Sequence, residues 1–368
     1  MKPTERLHQL GQSLWLDNIS RRILDDGTLR RYIDELCVTG LTSNPTIFDE
    51  AIGAGDAYDA GIRSKARAGK SGEELFLELA LEDLRRAADM FRSIFDATDG
   101  VDGWVSMEVS PLLADDTAGS IEAALQIYRQ ADRPNLFVKI PGTVQGIPAI
   151  EESIFAGVPV NVTLLFSSEQ YLAAANAYLR GLERRLAAGL ELNVGSVASV
   201  FVSRWDRAVN DQVTSALLNR LGIAIAGRTY HEYRELLLSA RWQKLAAAGA
   251  QPQRLLWGST GMKDPAASAA FYVEALAAPD TINTMPEKTL LAFAEGGQVN
   301  GAMADDGSGA ETVLHKFSQA GVDVEALAAQ LQHDGAQAFV KSWTALLQRI
   351  ADKSEVLAEA GSQVAKTA

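Results

Sequence analysis

Short apolar runs recur along the chain and are separated by longer stretches with helical spacing. Eight of the runs predict strands: Ser13–Asn18, Val38–Asn44, Gly103–Val109, Asn135–Ile140, Val158–Leu164, Ser196–Val202, Arg254–Ser259 and Thr281–Met285. Between them, Glu73–Phe95 carries Leu77, Leu81, Leu84, Ala88, Phe91 and Phe95 close to the helical repeat. Ser168–Leu186 predicts a second helix, with Ser167 or Ser168 as N-cap and Arg184 and Arg185 near its end. Thr229–Ala248 and Asp264–Ala277 predict two more. Strands alternating with helices predict an α/β protein, a (β/α)8 TIM barrel. A doubly wound open sheet competes with it, and periodicity alone does not separate the two.

Two regions exceed a minimal barrel. Residues 206–249 hold enough helix for two elements after strand six, and residues 301–368 add helices after strand eight. The expected organisation is a barrel over residues 1–300 with a helical C-terminal extension, 301–368, packed on it as one structural unit. The residues after Gly361 are expected to fray.

Side chains alternate faces along a strand, so parity sorts each run. In strand four, Leu136, Val138 and Ile140 share one face, and Phe137 and Lys139 the other. Strand three sets Val105, Met107 and Val109 against Trp104, Ser106 and Glu108. Strand five sets Val160, Val162 and Leu164 against Asn161 and Thr163; strand one sets Leu14 and Leu16 against Trp15 and Asp17; strand six sets Val200 and Val202 against Ser199 and Phe201. One face is aliphatic and suits packing against helices. The other carries isolated polar residues, mostly late in the strand, where a barrel places its active site. Asp17, Asn44, Glu108, Lys139, Asn161, Thr163 and Ser199 would therefore converge. Taken alone, Lys139 also reads as a strand-end lysine whose ammonium snorkels to water. Its company of two acids favours chemistry, because a desolvated amine beside carboxylates can form a Schiff base with a carbonyl substrate.

Charge narrows the partners. The chain has 368 residues and a formal net charge of −13, which disfavours nonspecific nucleic-acid binding. A local basic pocket for a small anion remains compatible with it. The single cysteine, Cys37, precludes an internal disulfide framework, and His8, His231, His315 and His333 lack metal-ligand spacing. No metal is expected. No run approaches a membrane span, and the N-terminus lacks the apolar core of a signal peptide, so no membrane partner and a cytoplasmic location are expected.

Four blocks then resemble a known family. Gly40-Leu41-Thr42-Ser43-Asn44-Pro45-Thr46-Ile47-Phe48 resembles the N-terminal transaldolase signature. Val138-Lys139-Ile140-Pro141-Gly142-Thr143, continued by Gly146-Ile147-Pro148-Ala149-Ile150, resembles the segment around the family's Schiff-base lysine. Asn161–Ser167 and Ser199–Arg204 resemble two further blocks, and the ordered matches span roughly Asp17 to Pro265. The chain is similar to the longer bacterial type, with extra C-terminal sequence.

The resemblance implies a class I aldolase barrel with no metal or organic cofactor. It implies reversible transfer of a dihydroxyacetone unit from sedoheptulose 7-phosphate to glyceraldehyde 3-phosphate, in the non-oxidative pentose phosphate pathway. The products are erythrose 4-phosphate and fructose 6-phosphate. By motif, Lys139 is the Schiff-base lysine, Asp17 the acid/base for the C4 hydroxyl, Glu108 the acid working through water, and Thr163 the residue positioning that water. Asn44, Asn161 and Ser199 match residues that hold the dihydroxyacetone hydroxyls, and Arg204 matches a phosphate-binding arginine. Phe201 is expected to shield the bound intermediate. Ser259 and Lys263 stand where many transaldolases have a serine and an arginine for phosphate, so Lys263 would exchange a bidentate fork for a point charge. The same segment also reads as a strand-to-helix turn before Asp264-Pro265. The expected partners are sugar phosphates, in a monomer or homodimer. The alternatives are a fructose 6-phosphate aldolase releasing free dihydroxyacetone, and a non-catalytic sugar-phosphate-binding barrel.

Overall fold

A computed structural model of the chain describes residues 1–367, with side chains through Glu359. The expected fraying after Gly361 falls where side chains lie outside those described. Eight parallel strands close into a barrel in sequence order, β1 to β8. They are β1 Ser13–Asp17, β2 Val38–Thr42, β3 Val105–Glu108, β4 Leu136–Pro141, β5 Val160–Leu165, β6 Ser196–Phe201, β7 Arg254–Gly258 and β8 Ile282–Met285. Closure comes from β1 lying beside β8, with Ser13 opposite Ile282 and Leu16 opposite Met285. This excludes the open-sheet alternative.

Parity holds around most of the barrel, with one correction: Leu164, expected beside Val160 and Val162 on the aliphatic face, has φ 59° and packs with Phe166 and Phe201, and Leu165 takes its place against the helices. Leu14, Leu16, Val105, Met107, Val138, Val160, Val162 and Val200 join the large core between strands and helices. Trp15, Trp104, Phe137, Val197, Leu256 and Ile282 form a separate cluster from the opposite face, filling the lower barrel. Within it the rings of Trp104 and Phe137 stack at 3.9 Å. These large rings separate two polar levels: buried Arg254, Ser13 and Asp102 hydrogen-bond at the N-terminal end of the strands, and a second polar layer lies above the rings.

The long helix Gly72–Ala97 and the helix Ser168–Ala187 form as expected, and Ser167 caps the latter by accepting from the Gln170 N–H. Two expected helices are corrected. Thr229–Ala248 is broken at Ser239, giving helices Leu221–Leu238 and Ala240–Ala247. Ser239 is extended and its hydroxyl accepts from the Trp242 N–H, so it starts a new helix instead of continuing the old one. Of Asp264–Ala277, only Phe271–Ala275 is an α-helix. The Asp264 carboxylate accepts from the Ala266 N–H, a local turn that competes with helix.

After strand eight come helices Glu287–Gly296, Ser308–Gln319 and Val324–Thr367. The last one crosses the barrel mouth. Gln332 Nε2 donates to the carbonyls of Gly142 and Leu164 at 3.1 and 2.9 Å, beyond the end of β4 and within β5. Further along, Arg349 pairs with Asp49 and Lys353 with Asp59, fastening the helix to the segments after β2. Among the described residues, no helix is long and apolar enough to cross a membrane.

Candidate active site

Register brings the polar residues to one level. Glu108 of β3 is opposite Lys139 of β4, and Lys139 is opposite Asn161 of β5. On the other side, Asp17 of β1 is opposite Thr42 of β2. Because strand parity points all of them inward, one layer of the barrel becomes polar directly above the aromatic layer.

The Lys139 ammonium lies 2.6 Å from Glu108 Oε1 and donates to the Ser43 carbonyl at 3.0 Å. Both side chains of this pair are buried. The approach to Oε1 is an ion pair lacking good hydrogen-bond angles, and Oε2 is unpartnered. Removal from solvent pushes the Glu108 carboxyl above its usual range, and Lys139 partly offsets the effect. Asp17 is raised in the same way, opposed by the Lys139 charge and the Thr42 hydroxyl. That hydroxyl donates to Asp17 Oδ1 at 2.7 Å and lies 2.7 Å from Thr284 Oγ1. Two carboxyls near one amine, both biased toward holding a proton, suit acid–base exchange with a carbonyl carbon held between them.

Neutral groups complete the layer. Ser199 Oγ donates to Asn161 Oδ1 at 2.7 Å, and Asn161 Nδ2 donates to Ser106 Oγ at 3.2 Å. Thr163 Oγ1 is buried without a partner. Such a hydroxyl is costly when dry, so it marks a position for water or a ligand oxygen. Asn44 serves two ends: its Oδ1 caps helix Pro45–Gly53 by accepting from the Ile47 N–H, leaving the amide NH2 to offer.

A cavity at the C-terminal end of the strands is lined by Asp17, Asn44, Lys139, Thr163, Ser199, Phe201, Arg204 and Ser259. A model of the Transaldolase/Fructose-6-phosphate aldolase family matches residues 14–350 of the chain. The chain belongs to this family. A transaldolase from Thermobifida fusca is 44% identical over 360 residues, covering 95% of this chain and 98% of its own length. Transaldolase 2 of Nostoc punctiforme is 38% identical, covering 95% of this chain and 97% of its own length. A transaldolase from Renibacterium salmoninarum is 41% identical, covering 98% and 99%.

Within this transaldolase/aldolase barrel, Glu108 and Asn161 do not line the cavity itself and reach it through Lys139 and Ser199. Ser259 sits at its rim in the left-handed region, φ 53°, with its hydroxyl 2.9 Å from Ser203 Oγ. Lys263 is exposed and off the cavity wall. The chain turns away before it, because buried Thr260 donates to Asn283 Oδ1 and the Thr284 carbonyl. Thr42, Leu256, Gly258, Thr284 and Phe339 also line the cavity and were not singled out from sequence. Thr284 follows inward Ile282 by two residues, so parity applied to β8 would have found it; Thr42 shares its parity with outward Val38 and is turned inward by the irregular pairing of β2 with β1. Nothing local marks Phe339, which arrives on the C-terminal helix. Among the described residues, no group of three or more His, Cys, Asp and Glu side chains is placed to hold a metal ion.

Proposed function

We propose that the protein catalyses transaldol transfer, moving a dihydroxyacetone unit from a ketose phosphate such as sedoheptulose 7-phosphate to glyceraldehyde 3-phosphate. The observation that carries this reading is the buried Lys139–Glu108 pair, at 2.6 Å, at the level of Asp17 in one barrel mouth.

The Lys139 ammonium passes a proton to Glu108, and the free amine bonds to the ketose carbonyl carbon, whose oxygen takes that proton back to give a carbinolamine. Glu108 accepts the proton released from nitrogen and returns one to the departing hydroxyl, through a water held by Thr163. Water leaves and a protonated imine remains. Asp17 takes the C4 hydroxyl proton, the C3–C4 bond breaks, C4 leaves as the aldehyde of the aldose phosphate, and the electron pair moves to C3, giving an enamine on Lys139. The acceptor aldehyde enters, C3 bonds to its carbonyl carbon, and Asp17 returns the proton. Hydration of the imine then frees the product. Asn44 and Ser199 hold the three-carbon unit, with Asn161 acting on it through the Ser199 hydroxyl, Arg204 and Ser259 hold the phosphate, and Phe201 keeps a hydrolytic water from the enamine. Lys263 is not part of this set, given its exposed position.

In this reading residues 1–300 are the catalytic barrel and 301–368 an extension packed on it. The protein acts in the cytoplasm on soluble sugar phosphates, as a monomer or homodimer. The net charge of −13 supports a role away from nucleic acid.

Transfer and aldolysis divide at the enamine. Supplying fructose 6-phosphate with and without erythrose 4-phosphate separates them. Rapid turnover is expected only with the acceptor, and cleavage without it should stall after the first turnover. Steady release of dihydroxyacetone at the transfer rate would replace this reading with the aldolase; absence of both reactions would favour a binding barrel.

A further inference from the structure

Arg204 is a partly buried guanidinium with no acid bonded to it; Glu108 acts on it only through its charge. Among the described residues no hydrogen bond or ion pair fixes it, although removal from solvent opposes its charge. Rings hold it instead. Its Cζ lies 5.0 Å from the Phe201 ring centre and 6.0 Å from that of Phe339. One ring comes from β6 and the other from the C-terminal helix, so the guanidinium is bracketed across the cavity mouth.

The same helix face carries a second restraint. Gln332, Gly335 and Phe339 are spaced three and four residues apart, so they lie on one side of Val324–Thr367. Gln332 ties that side to the carbonyls of Gly142 and Leu164. Gly335 then faces Arg204: a Cβ there would lie 3.1 Å from Arg204 Nη1 and 3.0 Å from Leu164 Cδ2. Glycine inside a helix costs about 1 kcal/mol relative to alanine, so its presence in mid-helix calls for a reason. The Leu164 methyl and the Arg204 guanidinium together occupy the space a side chain there would need.

We propose that Gly335 and Phe339 are positioning residues that aim Arg204 at the phosphate of the substrate, making the C-terminal helix a fixed wall of the anion site. Building the restraint from rings and a gap, with no carboxylate bonded to the guanidinium, leaves all five N–H donors to the phosphate. The inference rests on Arg204 as the phosphate-binding residue of the proposed function.

The test uses the full-length protein with inorganic phosphate as probe, measured by calorimetry and as inhibition, beside KM for fructose 6-phosphate and for unphosphorylated fructose. Gly335→Ala and Phe339→Leu should each weaken phosphate binding about tenfold, the scale of a misplaced charge-assisted pair. KM for the phosphorylated ketose should rise by a similar factor, well beyond any change for fructose. Phe339→Tyr keeps the ring and should retain phosphate affinity. Gly335→Ala should melt no lower than the parent, so a lost affinity is not a lost fold; if it does melt lower, Phe339→Leu and Phe339→Tyr decide. Phosphate affinity that depends on Arg204, shown by Arg204→Ala, but is unmoved by Phe339→Leu and by Gly335→Ala overturns the positioning role and leaves the function standing. Affinity indifferent to Arg204→Ala itself removes the assignment on which both rest. Equal KM changes for both ketoses would reduce the two residues to packing.

Discussion

Glu108 and Lys139 are register partners on neighbouring strands, and their side chains meet at 2.6 Å inside the barrel mouth. Since the backbone register itself sets the pairing, neither side chain needs a loop to bring it to the other. The relation has a direct consequence. Fructose 6-phosphate with borohydride should label Lys139 irreversibly, and Lys139→Arg should abolish the label. Glu108→Gln should keep the labelling site but slow its appearance by about 10²–10⁴-fold, the usual contribution of a positioned acid–base group. Mass spectrometry of the labelled peptide checks both. Labelling at another lysine would remove the proposed nucleophile.

Asp17 predicts a pH dependence. Burial raises its carboxyl, and as the base for the C4 hydroxyl it must be ionised. Activity is therefore lost as pH falls through a value above the ordinary carboxylate range, and that acid limb should disappear with the residual activity of Asp17→Asn. Stability runs the other way. A carboxyl whose folded pKa is raised costs stability as pH climbs above its unfolded value, and costs nothing below it. Asp17→Asn should thus gain in melting temperature relative to the parent on going from pH 4 to pH 8. A relative loss over that range would show that the ionised form is favoured in the fold.

Phe201 predicts the fate of the intermediate. Its ring packs on Phe166 at 5.5 Å and lies against Arg204, presenting no group that can hydrogen-bond water to the enamine. Phe201→Tyr adds a hydroxyl able to orient water or donate a proton, and should increase dihydroxyacetone release relative to transfer. The product ratio with limiting acceptor measures this. An unchanged ratio would leave the shielding to other residues.

The aromatic layer predicts coupling between stability and catalysis. Phe137 is buried, stacks on Trp104 and lies two residues before Lys139 on the same face. Phe137→Ala should cost about 3–5 kcal/mol by the lost burial and the cavity left behind. Because the floor under Lys139 loosens, activity should also fall at temperatures where the variant remains folded. Denaturant unfolding and assays at low temperature separate the two effects.

Much of this was legible along the chain. A barrel strand is buried on both faces, so an isolated polar residue in an apolar run stands out, and parity assigns it to the lumen or to the helices. Asp17, Glu108, Lys139, Asn161, Thr163 and Ser199 were all read as inward-facing in that way, whereas the closed strand order that lets them meet rests on the pairing of β1 with β8. Other features turn on single local hydrogen bonds or on contacts between distant segments. The break at Ser239 turns on one capping hydrogen bond, and the turn at Asp264 on another; both override a helical pattern that continues through them. Asn44 reads equally as a helix cap and as a site residue, and it is placed to be both. Whether Lys263 reaches the cavity depended on how the chain leaves β7, which Thr260 decides by binding to β8. Gly335 and Phe339 lie more than a hundred residues from Arg204, in a helix whose sequence shows only amphipathic spacing. Local pattern records which face of an element is buried; which residue it is buried against is a property of the closed fold, and the wall of the anion site exists only there.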